Sequence, residues 1–252
     1  MAAEAADYGN WVSRKFVIVP GALGVAFAAG AVWCRWLVAP AGLFLLMSAY
    51  FSYARWAFSP TGRGLQDRML ELLLSQLPRM GESATVLDIG CGGGALTIRV
   101  ARAHPEVHAV GIDRWGAGWG YSKRRCESNA LAEGVAHRVS FQDADAVSLP
   151  FDKDTFDAVV SNFVFHEVHS VKDKRELLQE AFRVLTPGGV FAIQDLFLWE
   201  RVYGPIDELV EALKRWGIAT VEFVDTSQSD FIPKLLKLPF MVGTAGILYG
   251  RK

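Results

Sequence analysis

The stretch "LDIGCGGGALTI", residues 87–98, decides how the rest of the chain is read. Four glycines fall within residues 90–94, between an apolar run and a segment whose apolar residues repeat at helical spacing. Glycine reaches positive φ without penalty and carries no Cβ, so a glycine-rich backbone can turn tightly or approach a ligand closely. Gly90, Gly92 and Gly94 give G-x-G-x-G, and with Ala95 the stretch also fits the dinucleotide pattern G-x-G-x-x-G/A. Alone, it fits either a nucleotide-type site or a tight strand-to-helix turn.

Outward from the loop, strands and helices alternate. ATVLDIG (84–90) and VHAVGID (107–113) are short apolar runs, with the helical stretch ALTIRVARAH (95–104) between them. The pattern predicts a helix over 119–133, strands over 138–144 and 156–165, a helix over 173–185 and a strand over 190–197. A helix over 205–216 and strands over 218–225 and 240–249 complete the chain. This alternation predicts an α/β fold, a parallel sheet with helices on both faces. Ligands in such folds bind outside the carboxyl ends of the strands, which is where the glycine loop falls. Asp113 ends the second strand, 19 residues past Gly94, where a carboxylate accepts hydrogen bonds from ribose hydroxyls. Loop and acid together predict an adenosine-type ligand.

The ordered blocks VLDIGCGGG (86–94), GID (111–113), DADAVSLPFDKDTFDAVVSN (143–162) and RVLTPGG (183–189) closely resemble class I S-adenosylmethionine-dependent methyltransferases. The nearest branch methylates ubiquinone and menaquinone precursors, sterols and other small molecules. The resemblance covers roughly residues 84–197. It implies a Rossmann-like seven-stranded sheet whose last strand, here residues 240–249, is antiparallel. It also implies a site for S-adenosyl-L-methionine. Asp88 would anchor the loop and help hold the amino-acid end of the cofactor. Gly90, Cys91, Gly92 and Gly94 would form the loop that passes close to the methionine and ribose. Asp113 would take the ribose hydroxyls, with Arg114 and Trp115 beside it. Asp145 and Ala146 would meet the adenine, and Asn162 would line the site beneath the transferred methyl.

The chain also departs from the family. RWGAGWGYSKRRC (114–126) is richer in aromatics and glycine than the usual sequence there. Trp115 either covers the adenine or ribose or packs between helix and sheet. FHEVHS (165–170) replaces the residues usual in the quinone branch, so that branch's substrate is not carried over. A sulfonium methyl is already electrophilic, and the protein's main task is to align a nucleophile with it. A base is needed only where the acceptor arrives protonated. His166, Glu167 and His169 follow the fourth strand and are the candidates. The blander alternative has His166 or Glu167 supporting the loop and His169 solvated. Cys34, Cys91 and Cys126 have no metal-like spacing, so no metal is expected.

The composition is apolar: 51% of the 252 residues are hydrophobic, and the formal net charge is −1. No global basic field argues for nucleic acid. The apolar excess lies at the start. Residues 16–34 and 36–54 each run 19 residues without a charge, separated only by Arg35. As helices they would reach roughly 28 Å, near the thickness of a bilayer core. Trp11, Trp33, Trp36 and Trp56 mark the segment ends, and Gly24 with Ala28, or Ala26 with Gly30, gives small-xxx-small spacing. Residues 1–58 are therefore expected to form a membrane-anchoring helical hairpin, spanning the bilayer or lying in its interface. Buried helices of a soluble protein are the alternative. Arg14, Lys15, Arg55 and Arg63 put the methyltransferase domain, 59–252, on the cytoplasmic side. The function expected is methyl transfer to a small, hydrophobic or membrane-resident acceptor such as a lipid, quinone-like phenol or thiol. The alternatives are a nicotinamide-dependent oxidoreductase and a noncatalytic scaffold on the same fold.

Overall fold

The computed structural model describes residues 5–116 and 120–252. They separate into two compact units: Asn10–Arg68, and the described residues up to Gly9 together with Met69–Lys252. The division expected from sequence, at residue 58, lies within the smaller unit. One unit boundary falls inside the helix Leu65–Leu74, and the residues before Asn10 group with the larger unit.

In the smaller unit, α1 (Lys15–Gly30) and α2 (Val38–Phe58) are joined by a turn containing a short 3-10 segment, Arg35–Leu37. Phe16 stacks on Phe51, and Phe27 stacks on Phe44. Early residues of α1 thus meet late residues of α2, so the pair is antiparallel. Close approach comes at Gly24, where a Cβ would lie 2.8 Å from Leu45 Cγ, and at Gly21, where it would lie 3.0 Å from Ser48 Oγ. Gly21 and Gly24 thus let α1 approach α2 closely, and Gly24 is one of the small residues singled out from sequence. The outward faces stay apolar and exposed: Ile18, Val25 and Leu46 are 63%, 64% and 71% accessible. Trp33 and Trp36 stand out at the turn, whereas Trp11 packs on Phe58. One described helix, Arg35–Phe58, is long and apolar enough to cross a membrane by length and composition; Lys15–Gly30 is shorter. The unit ends in α3 (Leu65–Leu74).

The larger unit alternates as its sequence predicts. β1 (Thr85–Ile89), α4 (Ala95–Ala103), β2 (His108–Asp113), α5 (Lys123–Ala132), β3 (Val139–Asp143) and β4 (Phe156–Asn162) lead to α6 (Arg175–Val184) and β5 (Leu185–Asp195). A short α7 (Glu200–Tyr203), then α8 (Ile206–Arg215), β6 (Thr220–Val224) and β7 (Gly246–Arg251) follow. The strand order is β3-β2-β1-β4-β5-β7-β6, with β7 antiparallel to both neighbours. The last strand begins at Gly246 and not at residue 240. Residues 238–243 form turns, and a Cβ on Gly243 would lie 2.5 Å from the Lys237 carbonyl oxygen. The helix expected over 119–133 begins at Lys123, because Ser122 caps it by accepting from the Arg125 N–H at 3.2 Å. Trp119 lies outside the described residues.

The apolar spacing decides which faces are covered. α6 buries Leu177, Leu178, Ala181, Phe182 and Val184, and α8 buries Leu209, Ala212 and Leu213. Both stripes recur every three or four residues, as a helix facing a sheet requires. They close over Val159, Phe191, Ile193 and Leu248. A second cluster joins α4 and α5 to the sheet through Cys91, Ile98, Cys126 and Phe141. These two cores leave the carboxyl edge of β1, β2, β4 and β5 to hold polar side chains.

Candidate active site

The glycine loop runs from the end of β1 into α4 with Gly90, Gly92 and Gly94 at φ +76°, +56° and +82°. Side chains are excluded for two reasons at Gly90: the backbone is left-handed, and a Cβ would lie 2.2 Å from Val164. Gly90→Ala should cost roughly 2–5 kcal/mol, from the left-handed penalty and overpacking. Urea unfolding checks this; an unchanged midpoint and slope would remove the close contact from the fold.

Carboxylates fix the loop from two sides. Asp88 is 1% exposed and accepts from Thr97 Oγ1 at 2.6 Å, which ties the end of β1 to the start of α4. Burial pushes its pKa up to about 7, against the lowering effect of Thr97. Asp113 accepts from Gly92 N at 2.9 Å on one oxygen and from Trp115 N at 2.8 Å on the other. Each oxygen keeps a further lone pair for a hydroxyl donor. Trp115 donates Nε1–H to the Gly92 carbonyl at 2.9 Å and packs against the Cys91–Phe141 cluster. Cys91 points its thiol into that same cluster. Arg114 pairs with Asp145 at 3.0 Å, both partly solvated, and Ala146 packs on the main core. Asn162 ends β4 with a buried side-chain oxygen that has no donor among the described residues. A buried acceptor without a donor fits a ligand that carries N–H or O–H groups.

After Asn162 the chain turns sharply. Phe163 has φ +55°, a conformation that costs on the order of 1–3 kcal/mol in a non-glycine residue. The next residues hold it in place: Val164 presses on Gly90, and Phe165 is fully buried, a burial contributing roughly 1.5–3 kcal/mol. The 3-10 turn Phe165–Glu167 then presents His166. Its Nδ1 lies 2.6 Å from Asp195 Oδ1, at the end of β5. Asp195 also accepts from the N–H groups of Phe165 and Leu196, at 2.8 and 2.6 Å. On the far side of the ring, His166 Nε2 lies 3.5 Å from Glu167 Oε1. Burial disfavours the imidazolium, but the two carboxylates outweigh it and raise the His166 pKa to about 9. Glu167 is lowered in turn, chiefly by its hydrogen bond with His166. The pairing stabilises the fold fully below about pH 6.5 and loses that contribution as pH rises through about 9.

The structure thus brings His166 and Glu167 together at the rim beside Gly90. His169 is exposed, its Nδ1 held 2.6 Å from the Glu167 carbonyl. Sequence reasoning missed Asp195, although it ends an apolar strand just as Asp113 does. It also missed Thr97 and Val164. No group of three or more metal-ligating side chains occurs among the described residues.

The methyltransferase-domain family matches residues 81–230, and the chain belongs to that family: class I methyltransferases, whose cofactor is S-adenosylmethionine. It is similar to the 27-O-demethylrifamycin SV methyltransferase of Amycolatopsis mediterranei, 35% identical over 135 residues, covering 52% of this chain and 45% of that one. It is likewise similar to the ubiquinone/menaquinone biosynthesis C-methyltransferase of Bartonella henselae, 32% identical over 139 residues, covering 50% and 51%. The chain spans about half the length of these curated relatives. In fold it matches a geranyl diphosphate methyltransferase solved with S-adenosylmethionine, at TM-score 0.57 and 16% identity, over 79% of this chain and 89% of that one.

Proposed function

We propose that the chain transfers a methyl group from S-adenosylmethionine to a small, hydrophobic, membrane-resident acceptor such as a lipid, a quinone-like phenol or a thiol. The observation that carries the chemistry is the His166–Asp195 pair, set beside the glycine loop by the wedge of Val164 on Gly90. When bound, the cofactor supplies an electrophilic methyl on a sulfonium. Asp88, Gly92, Asp113 and Asn162 are the residues proposed to hold it, with Asp145 at the adenine end. Asp195 fixes the His166 tautomer through Nδ1, and Nε2, which faces Glu167, is the atom that takes a proton from the acceptor. That role needs the neutral ring, and a cation bound near the loop lowers the imidazole pKa toward it. Glu167 supports the imidazole, and His169 is left with solvent. Membership of the methyltransferase family stands against a nicotinamide-dependent oxidoreductase. A satisfied His–Asp pair at the rim, its aspartate buried and its histidine partly accessible, favours an enzyme over a scaffold.

The exposed apolar hairpin supports attachment to a membrane, with the basic base of the hairpin and the methyltransferase unit on the cytoplasmic side. The test uses Val25→Lys with Leu46→Lys, two outward-facing positions that leave the α1–α2 contact intact. In a bilayer the two lysines should cost roughly 5–7 kcal/mol at mid-depth. The full chain should resist carbonate extraction, and the double variant should move to the soluble fraction. The variant should lose turnover on a vesicle-borne acceptor yet keep it on a short-chain soluble one. A parent chain freely soluble without detergent would end the membrane reading.

A further inference from the structure

Residues Asp7–Gly9 belong to none of the motifs, yet they lie in the larger unit and pack on the glycine loop. Asn129 on α5 is the bracket. Its side-chain oxygen accepts from Asp7 N at 2.9 Å, and its amide nitrogen donates to the Asp7 and Gly93 carbonyls, both at 2.9 Å. One turn earlier, Arg125 donates Nε–H to the Asp7 carbonyl at 2.7 Å and pairs with the Asp7 carboxylate. Tyr8 packs against the Cys91–Cys126 cluster, and its carbonyl oxygen would lie 3.2 Å from a Cβ on Gly93. Gly9, at φ +72°, sits against the Tyr121 ring, and that ring also lies beside Gly92 and Gly93.

We infer that Asp7–Gly9 is a strap that positions the glycine loop for the cofactor, with Asn129 as the positioning residue joining strap to loop. With the strap in place Asn129 is 4% exposed, so its bonds to Asp7 and Gly93 are shielded from water. Undocking exchanges these shielded bonds for bonds to water, a net loss of roughly 0.5–1.5 kcal/mol for each. With the strap docked, Gly93 is held through its carbonyl while Gly92 is held by Asp113 through its N–H. Two peptide groups of the loop, 91–92 and 93–94, are thereby fixed before a ligand arrives. A loop that spends less time in this arrangement binds with proportionally weaker apparent affinity. The next residue, Asn10, opens the hairpin unit, and α1 begins at Lys15. The inference rests on the reading of the loop as the cofactor site.

The test titrates S-adenosylmethionine into the full chain in detergent by calorimetry, for the parent, Asn129→Ala and Gly9→Ala. Asn129→Ala should raise Kd roughly 10-fold or more, and Gly9→Ala roughly 3- to 10-fold, the scale of one or two lost hydrogen bonds. At saturating cofactor kcat should stay near the parent's, because the rim is untouched. Amide exchange at residues 92–94 should quicken in both unliganded variants. Unchanged Kd and exchange in folded Gly9→Ala, with a parent that binds, overturns the strap even where Asn129→Ala does not fold. A parent that fails to bind overturns the reading of the loop itself, and the strap with it.

Discussion

Replacing Asp113 by alanine is expected to weaken S-adenosylmethionine binding roughly 10- to 150-fold, the loss of a charge-assisted hydrogen bond worth about 1.5–3 kcal/mol. The carboxylate has a double task. It holds Gly92 N and Trp115 N within the protein, and it keeps lone pairs for the ribose. Alanine therefore removes both the ligand contact and one of the loop's own restraints, which places the effect toward the upper end of that range. Asp113→Asn keeps an oxygen for only one of the two N–H groups and should fall between. Calorimetry on folded variants measures this, and an unchanged affinity in Asp113→Ala would count decisively against the ribose assignment.

Removing the His166 imidazole should lower kcat by roughly 10²–10⁴, the usual contribution of a positioned base, while cofactor Kd stays near the parent's. The pH dependence carries the sharper test. Asp195 and Glu167 raise the His166 pKa to about 9, so the neutral, proton-accepting ring grows with pH up to that value in the free enzyme. The profile of kcat/KM should rise on its acid side through about 9. In Asp195→Asn the strongest stabilising charge is gone, and the limb should move toward the ordinary histidine value of about 6.5. A His166→Ala enzyme whose kcat and pH profile match the parent's would mean the acceptor arrives already ionised or uses Glu167.

Much of this was legible in the chain because it depends on neighbours in sequence. The Gly90–Gly94 turn, the acid at the end of β2 and the alternation of strands and helices are local patterns. The antiparallel β7 was expected only from the family resemblance, and its start was misplaced because residues 240–245 are apolar enough to pass for strand. Asp195 was overlooked for a different reason. It lies 29 residues from His166, and only the register that sets Asn162 beside Gln194 carries the two to one edge. Asn129 and Asp7 are 122 residues apart, and nothing in either local sequence marks the contact. In the hairpin, length and hydropathy were plain. The end of α1 at Gly30 was not, since residues 31–34 are as apolar as the helix they leave.

The most direct measurement incubates the purified full chain with methyl-labelled S-adenosylmethionine and an extracted membrane lipid pool, then follows the label by mass spectrometry. Methyl transfer to a small acceptor predicts S-adenosylhomocysteine in step with one organic-soluble product heavier by a single methyl group, and its loss in Asp113→Ala. Label found on protein or nucleic acid, or no S-adenosylhomocysteine formed with any lipid or small-molecule fraction despite tight cofactor binding, would contradict it.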